Sequence, residues 1–175
     1  RTLRNAFREA AEYGLHVSVV AHLNSWGETN DWRKFFQFDP TQTLEGYSYE
    51  QAVIEPIVSA LVESRVPLSE TELSLCGEMG HSVFSHADSY REMIQHLRGK
   101  ATTRQLQLGV SLNFNKVAGE AETSGQHNQE VQQLINTCDF LGLSNYRWFT
   151  PPPTADTFAR AIDDFMAQLR EKDVA

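Results

Sequence analysis

Cysteine is scarce in this chain: 175 residues hold two, Cys76 and Cys138, and neither sits in a C-x-x-C pair. Two cysteines cannot build a disulfide framework. One bridge between them is allowed by the count but not indicated by it, so the redox compartment stays open. Positive charge is also in short supply. Lys and Arg number 15 against 23 Asp and Glu, for a net charge of -8, and no basic block is present. Nucleic acid is therefore not an expected partner, because its phosphate backbone is bound by clustered cations. Apolar runs are short, about half of the roughly 20 residues a membrane span needs, so no membrane partner is expected either. Ten glycines and six prolines, without a period, exclude collagen-like and low-complexity classes. What remains is 41% hydrophobic and 22% charged. That balance suits one soluble globular domain, or part of one, spanning residues 1–175.

The ends add an expectation. Arg1 runs straight into a helical pattern with no signal-peptide pattern, and Glu171 to Ala175 trail off another helix. The chain reads as a piece of a longer protein.

Helical and strand patterns alternate along it. Leu3, Phe7, Ala10 and Ala11 form a helical stripe that Gly14 stops. His16 to Leu23 is β-branched and strand-like. A long loop from Asn24 to about Ser48 carries Trp26, Trp32, Phe35 and Phe36. Loops of that length are usually functional or disordered, and the aromatics argue against disorder. Tyr49 to Ser64 predicts a helix with Val53, Pro56, Ile57, Ala60 and Leu61 inward, kinked or split at Pro56. Thr71 to Glu78 predicts a second strand. Asp88 to Arg98 predicts a helix capped by Asp88, with Tyr90, Met93, Ile94 and Leu97 inward. Leu106 to Asn113 is a third strand, 126–137 a helix, and Phe140 to Tyr146 a fourth strand. After the rigid Pro151-Pro152-Pro153 turn, a last helix from about Thr154 to Arg170 places Phe158, Ile162, Phe165, Met166 and Leu169 inward.

This alternation predicts a parallel sheet with crossover helices. Strands of an open doubly wound sheet are near-continuous apolar runs. Here each strand has two unlike faces. Leu106, Leu108, Val110, Leu112 and Phe114 alternate with Gln107, Gly109, Ser111, Asn113 and Asn115. Leu73 and Leu75 alternate with Ser74, Cys76 and Glu78; Leu141 and Leu143 with Gly142, Ser144 and Tyr146. Val17, Val19, Ala21 and Leu23 alternate with Ser18, Val20, His22 and Asn24. Aliphatic residues toward the helices and small or polar ones inside are what a (β/α)8 barrel needs, with chemistry at the C-terminal mouth. A whole barrel takes about 200 to 250 residues or more. The fold class is thus α/β, a partial TIM (β/α)8 barrel of four parallel strands, with an open α/β sheet as the alternative.

The strand ends gather His22, Asn24 and Trp26; Glu78 and His81; Asn113, Asn115 and Lys116; Tyr146 and Trp148. One carboxylate stands among hydrogen-bonding groups and indoles. Sugars call for this mixture: their hydroxyls take Asn, His, Tyr and Lys, and their C–H faces stack on Trp. A carboxylic acid protonates a glycosidic oxygen when an apolar or anionic neighbour raises its pKa.

Two motifs carry a family resemblance. Leu73-Ser74-Leu75-Cys76-Gly77-Glu78-Met79-Gly80 resembles the fourth strand of clan A glycoside hydrolases, and Cys138 to Tyr146 resembles their sixth. The likeness is to β-mannanase-like and galactanase-like barrels. It implies that Glu78 is the general acid/base and that residues 1–175 run from the helix before strand three to the helix after strand six. It also implies that Tyr146 hydrogen-bonds a nucleophile on strand seven, beyond Ala175. Gly77 departs from the Asn that most of the clan place before the acid/base. On this register the chain supplies one of the two carboxyl groups a retaining enzyme holds about 5–5.5 Å apart.

Plainer readings stand beside these. Glu78 suits a structural ion pair, His22 a hydrogen-bonded core site, and the tryptophans loop packing. His81 and His86 read as loop residues. The expected partner is a carbohydrate substrate, with no cofactor and no metal. The leading function is part of a retaining hydrolase of β-linked glycans; the alternative is a non-catalytic carbohydrate-binding barrel. A metal-dependent hydrolase with His22, Glu78 and His81 as ligands is a third, weakened because His22-Leu23-Asn24 is not the His-x-His such barrels begin with. A polysaccharide hydrolase would be secreted or periplasmic. Half a barrel leaves two strand edges open, so self-association is a further expectation.

Overall fold

The computed structural model describes residues 2–24, 33–113, 125–144, 152 and 154–171. Four parallel strands lie in sequential order: β1 (Val17–Val20), β2 (Thr71–Gly77), β3 (Gln107–Asn113) and β4 (Phe140–Ser144). They curl into a half-barrel and alternate with helices. The α/β class and the parallel four-stranded sheet expected from the strand patterns are both present.

The helices are α1 (Leu3–Glu12), α2 (Glu55–Ser64), α3 (Gly80–Ser85), α4 (Ala87–Gly99), α5 (Gly125–Thr137) and α6 (Ala155–Glu171). Gly14 ends α1 as expected. At φ +63° it turns left-handed, Leu15 N–H reaches back to Ala10 O (2.9 Å), and its own N–H reaches Ala11 O (3.0 Å). That is the Schellman closure, which favours glycine.

The aliphatic faces pack on the helices. Leu73, Leu75, Leu108, Val110 and Leu112 are fully buried with Ile54 and Leu61 of the second helical stretch, Tyr90, Ile94 and Leu97 of α4, and Leu134 of α5. Full burial of each such side chain stabilises by about 1.5–3 kcal/mol. The opposite face holds paired rungs. Ser18 and Glu72 share the first pairing, with Gln107 beside Glu72; Val20, Ser74, Gly109 and Phe140 align above them; Asn113 and Ser144 pair at the C-terminal mouth.

The split expected at Pro56 is present: a π-helical turn over Glu50–Ile54 precedes α2, and Pro56 sits in the first turn, where its missing N–H costs no helix bond. Several other expectations are corrected. Pro56 is consequently exposed, and Ile54 takes the inward place. Asp88 is not a cap. His86 occupies the N-cap of α4, without a side-chain bond, and Asp88 pairs instead with Arg91 at 2.8 Å. The segment read as a loop around His81 is helix α3. On α6, Phe158 and Ile162 are 48% and 58% exposed, while Ala161 is buried and Phe165 and Met166 are half-buried.

Candidate active site

β2 departs from regular pairing where chemistry was expected. Ser74 pairs with Gly109 and Gly77 with Ser111, so three steps on β2 match two on β3. The extra residue is a β-bulge, a device that re-aims a side chain. Side chains hold it: Ser74 Oγ donates to Cys76 O (2.7 Å), and buried Tyr49 donates its hydroxyl to Leu75 O (2.8 Å). The bulge also corrects the face assigned to Cys76. Ser74 and Gly77 share the inner face although they lie three residues apart, so Cys76 joins the core on the helix side.

The bulge delivers Glu78. Its N–H donates to Ser111 O (2.8 Å), and its φ of +61° is left-handed. For a residue with a Cβ that conformation costs about 1–2 kcal/mol. Strain of this kind clusters at functional sites. Glu78 is only 4% exposed. A buried carboxylate needs compensation, and Arg33 provides some, with Nε 3.8 Å from Oε2.

His22 lies just past β1, beyond the ladder that ends at Val20. Its ring lies across Gly77: a Cβ there would stand 2.6 Å from Nε2 and 2.7 Å from Cδ2 and Cε1. Glycine at 77 is therefore the seat of the imidazole. Arg33 Nη1 donates to His22 Nδ1 at 2.5 Å. His22 is exposed as a residue, yet partial desolvation of its ring, then the Arg33 charge, hold the imidazole below its usual pKa, while Glu78 pulls the other way. His22, Arg33 and Glu78 thus form one connected group at the mouth.

Asn113 ends β3 on the same inner face, beside Ser144 of β4. It is 5% exposed, and its Oδ1 has no hydrogen-bond partner among the described residues. Buried acceptors are normally satisfied, so an orphan calls for an explanation, and a ligand donor is one.

His81 lies on α3 and faces the segment after β1. Phe35 meets its ring edge-on, with centroids 5.5 Å apart, and the Gln37 amide lies 3.4 Å from Nδ1. Asn24 is exposed. Trp26, Asn115, Lys116, Tyr146 and Trp148 lie outside the described residues. Among the described residues no group of three His, Cys, Asp or Glu is placed to hold a metal ion, so His22, Glu78 and His81 do not form a ligand set. The two cysteines are free thiols. Burial pushes Cys76 up to about 12 and Cys138 up to about 11, so neither is a thiolate at neutral pH.

Arg33 is the member that sequence reasoning missed. It sits in a 3-10 turn (Arg33–Phe35) of a long connection without period, and α3 packs against that turn. Asp139 was also read only as part of a motif. Its carboxylate accepts from Leu108 N–H and from Arg98 Nη2, both at 2.8 Å, tying β3 and α4 to the start of β4. Comparison with protein-family models, with curated proteins and with solved structures finds no match.

Proposed function

We propose that this chain carries the acid/base side of a retaining glycoside hydrolase acting on β-linked oligo- or polysaccharide. The observation that carries the reading is Glu78: a buried carboxylate in strained backbone at the C-terminal end of β2, on a sheet whose next strand ends in the orphan acceptor of Asn113. In this reading the four strands belong to a (β/α)8 barrel, whose chemistry gathers at that end. Glu78 gives its proton to the leaving glycosidic oxygen and then takes one from the attacking water. Asn113 Oδ1 accepts from a sugar hydroxyl, and His22 donates to a sugar oxygen. Trp26 and Trp148 serve as platforms for pyranose faces, and Asn24, His81, Asn115 and Tyr146 complete the cleft.

A second reading has its own support. Glu78 is the single carboxylate at the described strand ends, where His22, Asn113 and Ser144 are its companions. A carbohydrate-binding barrel needs no second carboxyl group. One experiment separates the two. In the hydrolase reading the second carboxyl group comes from outside residues 1–175, so the full-length chain and its Glu78→Gln variant are titrated with β-linked manno-, gluco- and galacto-oligosaccharides, and reducing ends are followed. The hydrolase reading expects cleavage that falls by about 10²–10⁴ in kcat in Glu78→Gln with binding retained. Binding without cleavage in either protein gives the binding barrel. No binding to any of them removes both readings.

A further inference from the structure

We infer that Arg33 is a positioning residue that fixes His22 in one neutral tautomer, with its proton on Nε2, and so makes the imidazole an obligate hydrogen-bond donor beside Glu78. The first observation is the 2.5 Å approach of Arg33 Nη1 to His22 Nδ1. A guanidinium has five N–H donors, no acceptor, and no accessible deprotonated form. Nδ1 must therefore accept. A neutral imidazole that accepts through Nδ1 carries its proton on Nε2. An imidazolium would set two N–H groups against each other at that distance. A flipped ring would put a carbon where the acceptor is needed.

The second observation is steric and independent of charge. The ring lies over Gly77, with Nε2, Cδ2 and Cε1 all 2.6–2.7 Å from where a Cβ would stand. A backbone without a side chain holds one face of the imidazole, and a cation holds its Nδ1 edge. Among the described residues the charged groups facing it are Arg33 and Glu78, and partial desolvation together with Arg33 outweighs Glu78 in favouring the neutral ring.

The chemistry follows. Nδ1 has its lone pair committed and Nε2 carries a hydrogen. His22 can donate to an acceptor oxygen of a ligand but holds no free lone pair with which to abstract a proton. Proton transfer at this mouth then falls to Glu78, whatever the ligand is. The inference does not depend on the carbohydrate reading.

The test is nitrogen-15 NMR of the histidine side chains in the whole chain without ligand, with His22→Gln assigning the signal among six histidines. The expected wild-type result at neutral pH is a protonated Nε2 and a bare Nδ1. Arg33→Ala gives mixed tautomers and a titration midpoint that rises toward 6.5, the ordinary value. Arg33→Lys, which keeps a donor-only cation, keeps the single tautomer. A protonated Nδ1 in the wild type, or an unchanged tautomer ratio in Arg33→Ala, overturns the inference. If Arg33→Ala does not fold, the wild-type spectrum alone still decides which nitrogen carries the proton.

Discussion

Replacing Glu78 by glycine and by alanine separates backbone strain from side-chain loss. Both variants remove the carboxylate. Alanine keeps a Cβ at a φ of +61°. It therefore keeps the left-handed cost of about 1–2 kcal/mol. Glycine removes that cost but loses about 0.5–1 kcal/mol more backbone freedom on folding. The difference is about 0.5–1 kcal/mol in favour of glycine. For a chain of this size that shifts the melting midpoint by about 1–4 °C. Paired thermal and urea melts measure it. Glu78→Gln serves as a third arm. It keeps the Cβ and the shape and loses only the charge. Arg33 stays 26% exposed and so retains water. The glutamine variant is expected within about 1 kcal/mol of wild type, near the range of exposed pairs. An alanine variant as stable as the glycine variant refutes a left-handed Glu78. A glycine variant that is more stable and inactive would mean that the protein keeps a strained residue for its side chain.

Three other expectations rest on separate parts of the fold. Gly109→Ala would drive a Cβ into the Phe140 carbonyl oxygen, a backbone atom that cannot rotate away; a loss of about 1–3 kcal/mol is expected, and a urea midpoint equal to wild type would contradict the β3–β4 register. Tyr49→Phe removes the hydroxyl that satisfies Leu75 O at the bulge, and about 1–2 kcal/mol should be lost in the same assay. The pH dependence has a definite sign. The Asp39 carboxyl faces a burial cost but is held below its usual 3.8 by the Thr41 N–H and hydroxyl, the Ser89 hydroxyl and the His86 charge. Its contribution is present above 3.8 and fades as pH falls through the lower folded value. For His22, also lowered in the folded state, the contribution is complete above 6.5 and declines as pH drops from there to the folded value. Melts of Asp39→Asn and His22→Gln across pH should each lose their own part of the slope.

Much of the sheet was legible because its signal is local. A period of two in Leu106 to Asn113 places Leu108, Val110 and Leu112 on one face, and all three are buried. Crossover helices follow from the alternation, and the inward residues Tyr90, Met93, Ile94 and Leu97 of α4 follow from its stripe. The rest fails where structure depends on distant partners. The bulge between Ser74 and Gly77 is fixed by Tyr49, by the Ser74 hydroxyl and by pairing with β3, and the alternation along β2 does not announce it. Arg33 reaches His22 and Glu78 through a connection with no period. Helix α3 is only six residues long, too short to show a repeat. On α6 a clean stripe misleads, because Phe158 and Ile162 stay about half exposed. Glu78 and His22 were read from their strand-end positions; their coupling through Arg33 was not readable.

The strictly sequential strand order has a consequence for synthesis on the ribosome. Each strand bonds only to neighbours in sequence, and β2, β3 and β4 begin at 71, 107 and 140. No strand must wait for one made much later to be paired on its first edge. As residues emerge at about 5–20 per second, each new βα unit meets an edge already in place, so assembly can keep pace with translation. The group around Glu78 depends on β1, the turn at Arg33, β2 and β3. It is complete once Asn113 clears the exit tunnel, before β4 emerges to pair with β3.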